Sequence, residues 1–452
     1  MISNLEQIIK NELCNGKEIT PLVTETFNVL RNYKDSSLEE LTSILLKDII
    51  EELEQFIKLE YPVPGITTGF KVGLINAEIN MGHQGNKQTP ITSDTLYDLA
   101  SITKLYTVII AYNLINEGYF NFNSKISDLH PDFALNNVTI GDILSFNVEL
   151  KTNGRIDKAK SYDEAIDRLY KTKLINKGKY IYTDIGMMIL KEVMERVTNT
   201  SFEELFNRYI VKPLSLNNTY LTVPSNKRCF ITGTPNYNSG LPNDPKAAIL
   251  GGYYTHAGIF ANSADLIKLG EGLFTKDKLF NTSYIDKFYT QGIEPNRGKF
   301  GYVYIPNLGD CNNKLSFKKS FLATGSTRTL VNVSNLKIYN NEYTNVTTLL
   351  MNPCSTPIEE LRQIQIEINK NRIENSLPPI ELIKSMEFLT KDNRTIRAMT
   401  VDMKKIISNE KLISISKTLN RVKIKLLLLN EVVRSAEPNY DKKVNVKIYK
   451  KI

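Results

Sequence analysis

The sequence predicts an α+β fold, an α/β sandwich in which helices flank an antiparallel sheet and a helical subdomain is inserted into it. Strand-like stretches occur early, at residues 67–78 and around Gly82, and again late, at residues 317–324, 329–334 and 344–351. Helical periodicity fills most of the chain between them. Strands from both ends of a chain form one sheet when the intervening helices are inserted between them, which gives this architecture.

Residues 1–60 are predicted to form an N-terminal helical segment. Ser37 and Glu40 match the capping-box pattern, and apolar residues then recur at helical spacing as far as Phe56. Pro62 and Pro64 follow and end the helix. We therefore expect one helix over residues 37–56, followed by a hairpin that leads to the next helix.

The composition is ordinary for a soluble globular protein, with 41% hydrophobic and 23% charged residues. The 452 residues include only four cysteines, which lie far apart at Cys14, Cys229, Cys311 and Cys354 and predict neither a disulfide framework nor a zinc site. Acidic residues interrupt the N-terminal apolar positions, so a secretory leader is not predicted. No stretch reaches the roughly 18 uncharged apolar residues of a membrane-spanning helix. These observations favour a cytoplasmic location.

The most informative stretch surrounds Ser101 and Lys104. The apolar run over residues 105–115 has the length of a helix, and Ser101 precedes it by one turn. A spacing of three residues places the Lys104 amine on the same helix face as the Ser101 hydroxyl, so a nucleophile and a base come together. The alternative is that Ser101 is an N-cap and Lys104 a solvated side chain.

The segment 94–104 closely resembles the nucleophile segment of the serine hydrolases that include class C β-lactamases, penicillin-binding DD-peptidases and related esterases. The order of elements extends this resemblance over residues 67–374. It implies a β-lactamase/transpeptidase-like fold and an acyl-enzyme on Ser101, with no cofactor and no metal.

Residues Tyr182, Thr183 and Asp184 resemble the Tyr-x-Asn element of that family. The resemblance implies that Tyr182 carries the proton beside Ser101 and Lys104. Asp184 replaces the usual asparagine in substrate binding, and its anion would favour the charged form of the lysine. The alternative is a tyrosine packed at a helix start, with Asp184 as the helix cap.

The third element resembles the strand that carries Lys-Thr-Gly or His-Thr-Gly. It implies substrate-binding roles for Thr324, Gly325 and Ser326, and an oxyanion hole made by the N–H groups of Ser101 and Ser326. Ala323 stands where the family usually has a lysine or histidine, so the group that usually supplies charge or a hydrogen bond there is missing. Arg328, placed further along the same strand, would point to the opposite face by alternation.

Two further positions qualify the resemblance. Phe146 stands where a histidine is often found in the family. His256 lies in a glycine-rich turn, where a histidine is more often structural than catalytic. Ser263, just beyond that turn, is predicted to cap the helix that begins at Asp265.

We predict three domains, which are the N-terminal segment 1–60, a hydrolase domain over 61–375 with its helical subdomain at about 121–300, and a C-terminal appendage over 376–452. The appendage holds 17 Lys and Arg against 8 Asp and Glu, within a chain of net charge +8. Its apolar positions over 412–433 predict a long helix that must dock on its own chain or on a second copy, which would make a homo-oligomer, and residues 444–450 predict an edge strand. The alternative is that the appendage binds nucleic acid. Its basic residues are not interleaved with aromatic ones, so nucleic acid is not expected as a partner.

The predicted activity is hydrolysis of an ester or amide in a small-molecule acyl or peptide substrate. An esterase, a D-amino-acid peptidase and a weak β-lactamase-type enzyme are its variants. The alternative is a catalytically impaired homologue that binds acyl or peptide ligands. The residues that favour this alternative are Asp184, Phe146 and Ala323.

Overall fold

A computed structural model describes most of the chain. The described ranges are residues 2–13, 19–60, 63–84, 89–232, 240–273, 317–338, 341–351, 358–380, 386–389, 395–398 and 409–451. The described residues divide into two compact units. The sheet unit holds those that fall within 1–93, 307–320 and 333–452, and the site unit holds those that fall within 94–306 and 321–332.

Helices and strands are numbered here in chain order. The α-helices are α1 Ile2–Leu13, α2 Ile19–Asn32, α3 Leu38–Leu45, α4 Lys47–Gln55, α5 Thr103–Asn116, α6 Ile126–Leu129, α7 Ile140–Leu144, α8 Tyr162–Tyr170, α9 Ile185–Thr198, α10 Phe202–Phe206, α11 Lys212–Leu214, α12 Pro245–Ile249, α13 Ser263–Gly272, α14 Ile358–Glu374 and α15 Asn409–Ala436. The strands are β1 Gly65–Val72, β2 Ile75–Gly82, β3 Tyr97–Asp98, β4 Val148–Lys151, β5 Lys173–Lys177, β6 Thr219–Tyr220, β7 Phe260–Ala261, β8 Phe317–Gly325, β9 Thr329–Ile338, β10 Asn341–Leu350, β11 Met386–Leu389, β12 Thr395–Ala398 and β13 Val444–Lys450. No helix of the described ranges combines the length and the apolar character needed to cross a membrane.

The N-terminal helices form as predicted, with one difference. The backbone N–H of Glu40 donates to Ser37 Oγ at 3.2 Å and the N–H of Ser37 donates to Glu40 Oε2 at 3.0 Å, so the capping box is present at the start of α3. The predicted single helix over 37–56 is wrong, because the chain turns at Leu46 and begins again as α4. A π-helical turn over Phe56–Glu60 follows α4.

The main sheet has the strand order β13-β2-β1-β10-β9-β8. Strand β1 pairs antiparallel with both β2 and β10, as the sequence predicts. The predicted first strand over 67–78 is wrong in its bounds, because it contains the tight turn between Val72 and Ile75, where Gly73 has a φ of +56°. The sheet also departs from purely antiparallel pairing, since β13 lies parallel to β2.

The long helix of the C-terminal appendage packs against its own chain within the sheet unit, which is one of the two predicted alternatives. Helix α15 packs against α2, α3 and α4 and against strands β1 and β10. Its buried positions include Ile415, Leu419, Val422, Leu426 and Leu429. Strand β13 forms the edge of the sheet with Lys447 exposed, which protects that edge from pairing with another chain.

Two polar residues, Lys425 and Asn430, fix where α15 docks. Lys425 Nζ lies 2.6 Å from Glu25 Oε1 and 2.7 Å from Asp48 Oδ2. Asn430 Nδ2 donates to the carbonyl of Val72 at 2.9 Å, and its Oδ1 accepts from the N–H of Leu74 at 2.8 Å. Asn430 therefore ties helix α15 to the backbone of the β1–β2 turn by one donated and one accepted hydrogen bond.

The site unit is built around α5, whose residues are buried on nearly every side. Strands β3, β7 and β6 form a small sheet beside it, and β4 pairs with β5. The predicted cap of α13 is wrong by one residue, because Asn262 Oδ1, and not Ser263, accepts from the N–H of Asp265 at 3.0 Å. Residues 274–300 of the predicted helical subdomain lie outside the described ranges.

We expect Asn430→Ala to lower the free energy of unfolding by about 2 kcal/mol, because it removes a buried hydrogen bond to the Val72 carbonyl and a part-buried one from the Leu74 N–H. Denaturant unfolding measures the change. Asn445→Ala is the matched control, since Asn445 bonds an exposed Asn76 on the same sheet, and it should cost less than about 0.5 kcal/mol. Equal losses in the two variants would contradict the proposed role of Asn430.

Candidate active site

Ser101 lies in a 3₁₀ turn over Ala100–Ile102 that leads directly into α5. Ala100 precedes it with a φ of +46°, a left-handed conformation that costs an alanine about 1 kcal/mol. The Asp98 side chain holds this conformation, because its Oδ1 accepts from the N–H of Ala100 at 2.8 Å and its Oδ2 accepts from the N–H of Asn243 at 2.7 Å. Burial raises the pKa of Asp98 to about 6, although these two bonds oppose the shift.

The Ser101 hydroxyl contacts two groups that can move a proton. Lys104 Nζ donates to Ser101 Oγ at 3.0 Å, and the Tyr182 hydroxyl lies 2.8 Å from the same oxygen. The structure thus brings together the three residues that the sequence singles out. The alternative placement of Lys104 in solvent is wrong, since its side chain is fully buried.

Tyr182 is held by stacking on Phe146. The two rings lie 5.5 Å apart and nearly parallel, at 23°. The Phe146 carbonyl also accepts from the N–H of Ile181 at 2.7 Å, which anchors the segment that carries Tyr182. On its other side the ring faces Lys104 Nζ, 4.9 Å from the ring centroid. The sequence shows only that Phe146 replaces a histidine, whereas the structure shows that it positions the tyrosine.

Asp184 is at the N-cap position of α9, yet its side chain makes no cap bond there. Instead Oδ1 lies 2.8 Å from Lys104 Nζ and Oδ2 lies 3.1 Å from Lys246 Nζ. Burial alone would raise the pKa of Asp184, but the charges of Lys104, His256 and Lys246 outweigh it and lower the pKa to about 2. The carboxylate is therefore ionised, and the interpretation of Asp184 as a helix cap is wrong.

The hydrogens of the Lys104 ammonium point to acceptors from three parts of the chain. They are Ser101 Oγ, Asp184 Oδ1 and the carbonyl oxygen of His256, which lies 3.0 Å from Nζ. The His256 imidazole is fully buried and does not bond to Ser101; its Nε2 lies 3.0 Å from Asp244 Oδ1. The geometry agrees with the structural role expected for the His256 side chain.

Sequence reasoning missed Lys246 and Asp244. Both lie before the glycine-rich turn. Asp244 is the N-cap of α12, and its side chain accepts from two backbone N–H groups at the start of that helix. Lys246 Nζ lies 3.2 Å from Asp244 Oδ2 as well as 3.1 Å from Asp184 Oδ2. The Asp-Pro pair at the start of α12 signals a helix start, but no spacing links it to Ser101 in the sequence.

Three of these side chains have the composition of a metal site. Oxygen or nitrogen atoms of Asp184, Asp244 and His256 lie within 4.8 Å of one another. The Lys246 ammonium already lies within ion-pair distance of both carboxylates. Because an ammonium supplies the positive charge between them, this arrangement fits an ion-pair network better than a metal centre.

The end of β8 lies against the residues that precede the nucleophile. Thr327 Oγ1 donates to the carbonyl of Asp98 at 2.7 Å, and Thr329 Oγ1 donates to that of Leu99 at 3.2 Å. Gly325 has no room for a side chain, because a Cβ there would overlap the Leu99 carbonyl. Thr324, Gly325 and Ser326 are thereby held beside the turn that presents Ser101.

Two statements from the sequence concern this strand, one on Ala323 and one on Arg328. Ala323 is fully buried, and its methyl side chain supplies neither charge nor a hydrogen-bonding group. The placement of Arg328 further along the same strand is wrong, because β8 ends at Gly325 and Arg328 lies in the turn before β9 with a φ of +60°.

Comparisons with known proteins agree on the fold. Residues 74–331, more than half of the chain, match the family model described as Beta-lactamase. A relative from Escherichia coli K12 named "Putative D-alanyl-D-alanine carboxypeptidase" is 26% identical over 248 residues, which cover 45% of this chain and 57% of the relative. The match therefore spans little more than half the length of that relative.

Two solved structures share the fold at low sequence identity. A class C beta-lactamase is 17% identical with a TM-score of 0.56, over 73% of this chain and 96% of that one. An octameric penicillin-binding protein homologue from Pyrococcus abyssi is 18% identical with a TM-score of 0.53, over 75% of this chain and 79% of that one.

We expect Asp184→Asn to lower the free energy of unfolding by about 2 kcal/mol at pH 7. The Asp184 pKa of about 2 lies below the ordinary 3.8, so the carboxylate adds stability above pH 4, and this contribution is lost as the pH falls toward 2. The difference between the variant and the wild type should fall to about half near pH 3. Denaturant unfolding at both pH values checks this.

Asp167→Asn serves as the control for that measurement, because Asp167 forms an exposed ion pair with Lys171 within α8. Exposed pairs contribute little, so its free energy of unfolding should stay close to that of the wild type at both pH values. A difference for Asp184→Asn that does not depend on pH would contradict the assignment of an ionised carboxylate.

Proposed function

The chain belongs to the serine β-lactamase and penicillin-binding-protein-like family, and from this premise we propose that it is a serine hydrolase that forms an acyl-enzyme on Ser101. The observation that carries the proposal is the double contact of Ser101 Oγ, at 2.8 Å to the Tyr182 hydroxyl and 3.0 Å to Lys104 Nζ. A serine hydroxyl needs a proton acceptor within hydrogen-bond reach to become a nucleophile, and the Tyr182 hydroxyl lies at that distance with Lys104 beside it.

Tyr182 is the proton carrier in this mechanism. Lys104 Nζ lies within hydrogen-bond distance of Ser101 Oγ, Asp184 Oδ1 and the His256 carbonyl, so its donors are all engaged, and we assign to it the stabilisation of negative charge on the Tyr182 oxygen and not the role of base. As Ser101 Oγ bonds to the acyl carbon, its proton passes to Tyr182 and then to the leaving oxygen or nitrogen as that bond breaks. Water then attacks the ester, gives its proton to Tyr182, and Ser101 recovers a proton from it.

The oxyanion of the tetrahedral intermediate would be bound by the backbone N–H groups of Ser101 and Ser326. The support for this step is the hairpin end, which the Thr327 and Thr329 hydroxyls hold against the chain at Asp98 and Leu99. Donors that are fixed before the reaction stabilise the oxyanion without reorganisation. One such donor lowers the activation barrier by on the order of 3 kcal/mol.

The surroundings favour a small, uncharged acyl ester or amide as substrate. Ala323 supplies no cation for a substrate carboxylate, and both oxygens of Asp184 are already engaged by lysines. A peptidase acting on D-amino-acid peptides is the nearest variant, and the name of the Escherichia coli relative supports it.

The second candidate function is an acyl- or peptide-binding homologue without turnover. The replacements at Asp184, Phe146 and Ala323 favour it.

A fluorophosphonate probe separates the two candidates. We expect wild-type protein to gain one phosphonyl group on Ser101, detected by mass spectrometry, and Ser101→Ala to lose labelling and acyl-ester turnover while it remains folded, because alanine is tolerated in a helical turn. Ser127→Ala is the control, since that hydroxyl bonds only to neighbouring Asp128 among the contacts of the described residues. Turnover above about one thousandth in Ser101→Ala, or an unlabelled wild type, would contradict the proposal.

Tyr182→Phe should slow labelling by about a hundredfold or more, the usual contribution of a positioned proton carrier. The variant keeps the ring that stacks on Phe146, so the loss isolates the hydroxyl. Tyr162→Phe, at an exposed tyrosine on α8, should label at the wild-type rate. A harmless Tyr182→Phe combined with an inactive Lys104→Ala would instead assign the base to Lys104.

A further inference from the structure

Five residues of the site unit form a closed ring of polar contacts behind Ser101. In order they are Lys104, Asp184, Lys246, Asp244 and His256, and the backbone carbonyl of His256 returns to Lys104. Each link is between 2.8 and 3.2 Å long. The ring joins α5, the start of α9, α12 and the glycine-rich turn, although only Lys104 touches the nucleophile.

The charges alternate around this ring. The carboxylates of Asp184 and Asp244 alternate with the ammonium groups of Lys104 and Lys246. Burial opposes charge at Asp244 and at Lys246, but their contacts prevail: His256 and Lys246 hold the pKa of Asp244 well below its usual range, and the two carboxylates raise the pKa of Lys246. Both acids and Lys246 are therefore charged at neutral pH.

We infer that Lys246 is a positioning residue for acylation, which shares the charge of Asp184 with Lys104 and thereby sets the pH at which the Ser101, Lys104 and Tyr182 group becomes reactive. This inference rests on the proposed function, since it concerns the regulation of the same site. It adds a residue that neither touches the reacting atoms nor belongs to the three motifs.

The physical argument is electrostatic. Reaction requires the Lys104 and Tyr182 pair to give up one proton, and the Asp184 anion next to Lys104 opposes that loss. Lys246 is a second cation on the same carboxylate, so it weakens the hold of Asp184 on the Lys104 proton and also repels the Lys104 charge directly. Between charges a few ångströms apart such effects are worth on the order of 1–3 kcal/mol, equivalent to about one to two pH units.

Other charged groups near Lys246 are accounted for. Asp157, which precedes α8, is close enough for Lys246 to lower its pKa, but Asp157 is bonded to Arg155 at 2.6 Å. Asp244 and His256 also lie close to Asp184, with polar atoms of the three side chains within 4.8 Å of one another, and His256 contributes to the low pKa of Asp184. The two oxygens of Asp184 are shared between Lys104, beside the nucleophile, and Lys246.

The test measures the rate of fluorophosphonate labelling of the full chain between pH 5 and 9.5. Lys246→Met should move the midpoint of the acid limb up by about one pH unit. Asp184→Asn should move it down, because it removes the anion that holds the Lys104 proton. Lys246→Arg should restore a midpoint close to that of the wild type, since it keeps the charge.

A merely structural role predicts a different result. Loss of packing in Lys246→Met would lower the labelling rate by the same factor at every pH, together with the thermal midpoint. Lys268→Met is the matched control, because Lys268 is a partly exposed lysine paired with Asp265 in the same unit, and its profile should equal that of the wild type. Lys246→Gln keeps hydrogen-bond donors without the charge, and it replaces the methionine variant if that protein does not fold.

An unmoved midpoint in the folded Lys246 variants, or shifts of the same sign for Lys246→Met and Asp184→Asn, would overturn the inference while leaving the proposed function intact. A wild-type protein that is not labelled at any pH would overturn the proposed function and this inference with it. A shift that appears equally in Lys268→Met would also overturn it, since that lysine is outside the ring.

Discussion

The buried ammonium of Lys104 is the charge on which the rest of the site depends. Its side chain has an exposed fraction of 0%, and removing an ammonium from water costs several kcal/mol unless acceptors replace the water. Those acceptors come from the turn before α5, from the start of α9 and from the carbonyl of His256. Three segments distant in the chain must therefore meet at one nitrogen atom, and the hydroxyl of Ser101 is one of its partners.

The nucleophile turn is fixed by contacts on both sides. Helix α5 is apolar and buried almost all round, so it cannot rotate to move Ser101 without exposing its core-facing residues. The left-handed Ala100 is held by the Asp98 carboxylate, and Gly325 allows the β8 end to approach the Leu99 carbonyl. The small cost of the strained alanine is offset by these contacts, which leave the serine hydroxyl accessible.

Sequence reasoning succeeded where the signal is local and failed where it is not. The spacing of Ser101 and Lys104 within one helix start is a short pattern that determines local geometry. Tyr182 lies 81 residues from Ser101, and the sequence linked the two only through the resemblance to a family. Lys246 and Phe146 act through contacts with residues far away in the chain, which no period or spacing records. Boundary errors have the same origin, because the turn at Gly73 is stabilised by Asn430, more than three hundred residues later.

The pairing of Asp184 with Lys246 also explains how a carboxylate fits where the family usually has asparagine. Replacing a neutral amide by a carboxylate adds one negative charge beside Lys104, and a lysine on the other oxygen of that carboxylate adds one positive charge. The positive charge of Lys246 thus offsets the negative charge that Asp184 adds beside Lys104. Because both oxygens of Asp184 accept from lysines, the carboxylate presents little unpaired charge to a bound ligand. The ring therefore accommodates the carboxylate while it changes the groups that contact Lys104.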